Sequence, residues 1–159
     1  MNVIGNVLRP YGNRPFTIAH ICNDQGLFGR GIAGQIAQQW PQVKRQYLLS
    51  PMKLGTISTV DVAIGSRPGK VVNMIAQTIG GQHPLSLEAL RKCIELVRAE
   101  FTGPVHIPRI GTGLARSTWN VVYPLVPDNW IVYTLPHEAS HYPYDRFVSP
   151  SDVGLLEAH

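Results

Sequence analysis

Apolar residues along this chain fall into runs of two kinds. Short, nearly continuous runs at residues 16–22, 71–76 and 130–135 read as strands buried on both faces, and residues 2–4 as a short first strand closed by Gly5. Residues 56–64 alternate apolar with polar, as a half-buried strand does, and turn residues at 65–69 join them to 71–76 as a hairpin. Helical spacing begins at Ile32 and continues through Ala33, Ile36, Ala37 and Trp40, where Pro41 ends the helix or starts another turn. The longest such pattern passes through Leu87, Leu90, Ile94, Val97 and Phe101, with Glu88, Arg91, Lys92, Glu95 and Arg98 on the other face. Gly103 and Pro104 close that helix, residues 105–108 read as a strand and 117–125 as a further helix. Strands alternating with helices predict a mixed α/β sandwich with its ligand at the carboxyl ends of the central strands.

Composition narrows the class. A chain of 159 residues, 44% apolar, suits one compact domain, and 15% charged residues with a net charge of +4 suits an enzyme or small-ligand binder. No Lys/Arg cluster forms a nucleic-acid patch. Cys22 and Cys93 lack metal or disulfide spacing, which predicts a reducing compartment, and no stretch reads as a leader or a membrane span. The expectation is therefore a cytoplasmic, monomeric protein with no membrane partner, no cofactor and no metal.

Two glycine-rich segments carry the chemistry. Gly26-Leu-Phe-Gly-Arg-Gly-Ile-Ala33 and Pro108-Arg-Ile-Gly-Thr-Gly-Leu114 each follow an apolar run and lead into a helical pattern. Glycine backbone lets N–H groups approach an anion closely, and a helix N-terminus behind the loop adds a favourable dipole. Two such loops predict a ligand with more than one phosphate. Neither is a P-loop, because no Lys follows the last glycine, and the acidic residue expected of a dinucleotide fingerprint is missing.

The segment Ile18-Ala-His-Ile-Cys-Asn23 with Gly29-Arg-Gly-Ile-Ala33, and the second loop with Arg116 and Trp119, resemble the macrodomain family. They are most similar to its terminal ADP-ribose glycohydrolase and ADP-ribose 1″-phosphate phosphatase branch. The resemblance covers most of residues 1–135. It implies a three-layer α/β/α sandwich with a central mixed sheet, and leaves residues 136–159 as a tail packed on the surface or partly disordered. It implies ADP-ribose or a derivative as ligand, and ADP-ribosylated protein or nucleic acid as partner.

The same resemblance implies site residues. Asn6 and Val7 take the adenine position, where Asn replaces the family's usual Asp; the alternative is that Asn6 only caps a turn. Asn23 faces the distal ribose, Phe28 covers it, and Gly29, Arg30, Gly31, Ile32 and Ala33 form the first phosphate loop. Ile110, Gly111, Thr112, Gly113, Leu114 and Ala115 form the second, while Arg109 is either structural or functional. His20 and Asp24 are catalytic candidates; the plain alternatives are a core histidine and a solvated turn aspartate. The glycohydrolase branch uses a Lys nucleophile and an Asp after the second loop. This chain has Gln77 in the Lys region and Ala115 at the Asp position, and a carboxamide cannot form a Schiff base. Binding, substrate-assisted hydrolysis at the distal ribose, catalytically silent reading of ADP-ribosylated macromolecules and a pocket retuned to another nucleotide all remain open at this level.

Overall fold

A computed structural model describes residues 1–80, 84–111 and 119–157. The chain runs β1 (Asn2–Ile4), β2 (Phe16–Asn23), α1 (Gly31–Gln39), α2 (Pro41–Leu49), β3 (Ile57–Ile64), β4 (Arg67–Gln77), α3 (Leu87–Glu100) and β5 (His106–Pro108). It continues through α4 (Trp119–Val122), a 3-10 turn (Tyr123–Leu125), β6 (Ile131–Thr134), a second 3-10 turn (Pro136–His141) and α5 (Pro150–Glu157). The six strands form one sheet in the order β1-β6-β5-β2-β4-β3, parallel throughout except for the antiparallel edge strand β3.

Side-chain alternation divides the core into two layers. Ile18, Cys22, Val71 and Ile75 point to the face covered by α1 and α2, where Ile36, Val43 and Tyr47 pack. Ala19, Val72, Met74 and Ala76 point to the face covered by α3, which contributes Leu90, Cys93, Ile94 and Val97. Ser86 caps α3 by accepting the Ala89 N–H at 3.1 Å. The predicted three-layer sandwich is thus the observed one.

Several boundaries differ from the pattern reading. The hairpin turn is tighter than residues 65–69, since Ile64 pairs directly with Arg67 and β4 starts there. Gly69 lies inside that strand, opposite Phe16, whose ring fills the place a Cβ would take. Pro41 does start a second helix, in the first turn where its missing N–H costs nothing.

The last segment departs most from expectation. Phe147 bridges to Asn2 beside the sheet edge, the Val148 N–H donates to the Asn2 carbonyl at 2.8 Å, and Val153 is fully buried in the α1/α2-side core. Val148 and Val153 therefore pack with the same core as α1 and α2. Long-range docking of this kind leaves no periodic trace in sequence.

Candidate functional site

The order of connections locates a crevice. From β2 the chain moves outward to β4 through α1, α2 and β3, whereas from β5 it moves the other way to β6; β2 and β5 are neighbours. Loops leaving their carboxyl ends diverge there, which is where open α/β sheets bind ligands. Both glycine segments start at this switch point. Ile110 and Gly111 follow β5, with Ile110 buried and Gly111 at φ 83°. Thr112, Gly113, Leu114, Ala115 and Arg116 lie outside the described residues.

The first loop is held from beneath by Asn23. Its Oδ1 accepts from the N–H groups of Gln25 (2.9 Å) and Leu27 (3.1 Å), and its amide donates to the Leu27 carbonyl at 2.5 Å. The Tyr47 hydroxyl lies 2.7 Å from the Asn23 carbonyl and 2.8 Å from Asn23 Oδ1, and accepts from the Gly26 N–H at 3.0 Å. Burial first, aided by Cys22 and Asp24 and opposed by the backbone hydrogen bonds of Gly26 and Leu27, pushes the Tyr47 phenol up to about 12, so it stays protonated and can act as this donor. Asn23 is only 4% exposed. Its side chain braces the loop where direct contact with a ribose was expected. Phe28 is likewise turned inward, with its ring 5.1 Å from Tyr47 and 5.5 Å from His20.

What the loop presents outward is backbone. Gly26 takes φ 79°, Gly31 takes φ 58°, and Gly29, Arg30 and Gly31 are exposed. Arg30 is the N-cap of α1, no side chain caps the helix, and its first turn holds no acidic residue. An uncapped helix start beside a glycine loop leaves N–H groups and a positive dipole end available to an anion. Ile32 and Ala33 support this turn by packing against the core. Gly34 matters too, because a Cβ there would stand 2.9 Å from the Gly29 carbonyl oxygen, so loop and helix meet backbone to backbone. Sequence reasoning passed over Gly34 and Tyr47. Tyr47 could have been found from its four-residue step after Val43.

His20 lies beneath the first loop, against Phe28. It is fully buried in the middle of β2, donates through Nε2 to Asn73 Oδ1 at 2.6 Å, and lies 3.7 Å from Cys22 Sγ. Burial pushes its pKa down to about 4 against the opposing Asn73 bond, so the ring is neutral at physiological pH. This is the geometry of a core histidine. Asp24 is instead at the mouth, with its N–H on the Gln77 carbonyl (3.0 Å) and its Oδ2 accepting from Thr78 Oγ1 (3.1 Å). Gln77, at the end of β4, stands beside Asn23 in the sheet register.

Asn6 is exposed past β1 and its Oδ1 accepts the Leu8 N–H at 3.0 Å, which is turn capping; Val7 beside it is buried. Arg109 is committed to the protein. Its Nε donates to Thr134 Oγ1 at 2.8 Å, an Nη pairs with the Asp145 carboxylate, and the guanidinium lies 3.4 Å from the Tyr142 ring centre and 5.2 Å from that of Trp119. Tyr142 thus covers Arg109, while Tyr144 is 97% exposed. At the opposite, amino end of the sheet a groove of about 310 Å³ is lined by Arg14, Thr17, Glu100, Phe101 and His106, with neither glycine segment contributing among the described residues.

A mostly parallel sheet with a glycine loop and an open helix start at its switch point defines an open α/β fold with backbone N–H groups free at its crevice. Comparisons sharpen the class. No family model matches the chain. A curated relative, an uncharacterized 17.5 kDa protein from the tk-vs intergenic region of Enterobacteria phage T4, is 26% identical over 115 residues, covering 66% of this chain and 74% of its own length. A macrodomain protein from Streptomyces coelicolor superposes with a TM-score of 0.68 at 31% identity, over 84% of this chain and 97% of that one. Thermosipho africanus DarTG, solved in complex with ADP-ribose, superposes at 0.65 and 14% identity over 92% of this chain and 43% of that longer one. The chain has the macrodomain fold.

Proposed function

We propose that this protein binds ADP-ribose or an ADP-ribose derivative, with the diphosphate lying across the β2/β5 switch point between the two glycine loops. The uncapped N-terminus of α1, opening at Gly31 behind an exposed Gly29-Arg30 backbone, is the observation that carries the reading. Arg30 supplies a charge at the same place, and the ADP-ribose held by DarTG, a protein of like fold, fits the same use. The exposed Asn6 amide is the group left to meet the base. Titration calorimetry with ADP-ribose, AMP, ADP and other nucleoside diphosphate sugars tests this. ADP-ribose is expected to bind more tightly than AMP, and absence of heat with ADP-ribose up to millimolar concentration overturns the reading.

Hydrolysis at the distal ribose is a second reading, favoured by one observation: Asp24 places a carboxylate at the cleft mouth. His20 is fully buried and hydrogen-bonded to Asn73, so Asp24 is the candidate that stands at the cleft mouth. Asp24 alone is a modest catalyst without a nucleophilic Lys, and silent reading of ADP-ribosylated protein or nucleic acid needs neither group. Product analysis after incubation with Glu- and Ser-linked ADP-ribosyl peptides separates the two. Turnover lost in Asp24→Ala supports hydrolysis; no turnover of either peptide leaves the reader.

A further inference from the structure

Beside Asn23, on the β4 side, two adjacent strands end in a small group of oxygen acceptors. The Asp24 N–H bond to the Gln77 carbonyl continues the β2–β4 ladder past a register shift between Cys22 and Asn23, and so fixes residues 24, 77 and 78 together. Thr78 Oγ1 donates to Asp24 Oδ2 at 3.1 Å. Asp24 Oδ1 and Gln77 Oε1 are then left buried with no hydrogen-bond partner among the described residues, and Gln77 as a whole is 8% exposed. A buried acceptor without a donor is costly, and two at the ends of adjacent strands mark positions where donors arrive with something else. Asn23 does not supply that donor, because its amide already donates to the Leu27 carbonyl.

We infer that Asp24, Gln77 and Thr78 receive the hydroxyl groups of the ligand's terminal sugar, and that they make the protein selective for a free terminal ribose over a ribose 1″-phosphate. The inference rests on the proposal that a nucleoside diphosphate sugar occupies the cleft. Sugar hydroxyls donate, and the two orphan oxygens accept. A phosphate at the same place brings negative charge against the Asp24 carboxylate in a partly buried setting, where repulsion is poorly screened, and no Lys or Arg belongs to the group. Turning the Gln77 amide would offer its NH2 to a phosphate, but the carboxylate would remain. Asp24 therefore sets the preference.

Calorimetry of the full chain with ADP, ADP-ribose and ADP-ribose 1″-phosphate reads this directly. ADP-ribose is expected to bind more tightly than ADP, and about tenfold more tightly than its 1″-phosphate. Asp24→Asn should bring that ratio close to one by improving binding of the phosphorylated ligand. Equal or tighter binding of the 1″-phosphate by the native chain overturns the inference, and so does an unchanged ratio in folded Asp24→Asn. Should that variant fail to fold, Gln77→Leu replaces it, with a larger loss of affinity expected for ADP-ribose than for ADP; equal losses overturn the inference. If ADP binds and ADP-ribose binds no better, this inference falls alone, whereas no binding of either nucleotide removes the parent proposal.

Discussion

The two glycine loops leave neighbouring strands but are held in different ways. The first is braced from within its own strand-loop-helix unit, by Asn23 at its base and by Tyr47, only 24 positions further on. The second starts at Arg109, whose partners Thr134 and Asp145 lie 25 and 36 positions away, the latter in the C-terminal segment. The first loop is therefore set by local contacts, whereas the start of the second, at Arg109, is held by contacts that include the C-terminal segment. Breaking either brace should disturb its own loop first.

Acid should have the largest effect, because it reaches a histidine on each side. His20 lies under the first loop, and His106 lies in the strand leading to the second, where its Nδ1 is 2.8 Å from the Tyr133 hydroxyl. Burial lowers both to about 4 from an ordinary 6.5, with the Arg67 charge adding to the effect on His106. Both rings are neutral when folded, so the unfolded chain takes up protons first. The stability this carries is fully present above about pH 6.5 and is lost as pH falls towards 4, on the order of 3 kcal/mol per histidine. Urea unfolding between pH 7 and 4 measures the slope; a flat profile contradicts the assignment, and His20→Gln should remove about half of it.

Asn23→Ala comes next, at about 3 kcal/mol, because it strands two N–H groups and weakens the Tyr47 contact. Hydrogen exchange should rise at residues 25–28 and stay unchanged at 107–110. Arg109→Ala should cost about 2 kcal/mol through loss of its buried bonds and ring contacts, with the reverse exchange pattern. Exchange rising equally at both loops in either variant would remove the distinction. Arg30→Ala should be smallest, within about 0.5 kcal/mol in stability, while weakening ADP-ribose binding by less than about tenfold.

Those contrasts also explain what could be read from sequence. The amphipathic step through Leu90, Ile94 and Val97, the alternation before Gly65 and the apolar run ending at Asn23 report local periodicity, and each appears as an element close to its expected place. The glycines marked where backbone turns sharply, as Gly26 and Gly31 do with positive φ. The direction of side chains was not legible. Asn23 and Phe28 were expected to meet a ligand, but whether a residue at a strand end turns outward or inward depends on what α2 places beneath it, here Tyr47. His20 was weighed as catalyst or core, and its hydrogen bond to Asn73 on the next strand could not be read from sequence. The docking of Phe147 and Val153 is a long-range contact without a repeating pattern. Asp24 and Gln77 were both singled out, yet their shared register and orphan oxygens needed the sheet to be assembled.

A crystal structure of the full chain with ADP-ribose tests the central claim most directly. The account predicts the diphosphate between the N-terminus of α1 and the loop after β5, with the terminal ribose beside Asp24 and Gln77. Ligand density elsewhere, as in the amino-end groove beside Arg14 and Thr17, or a switch point left empty at saturating ligand, would contradict it.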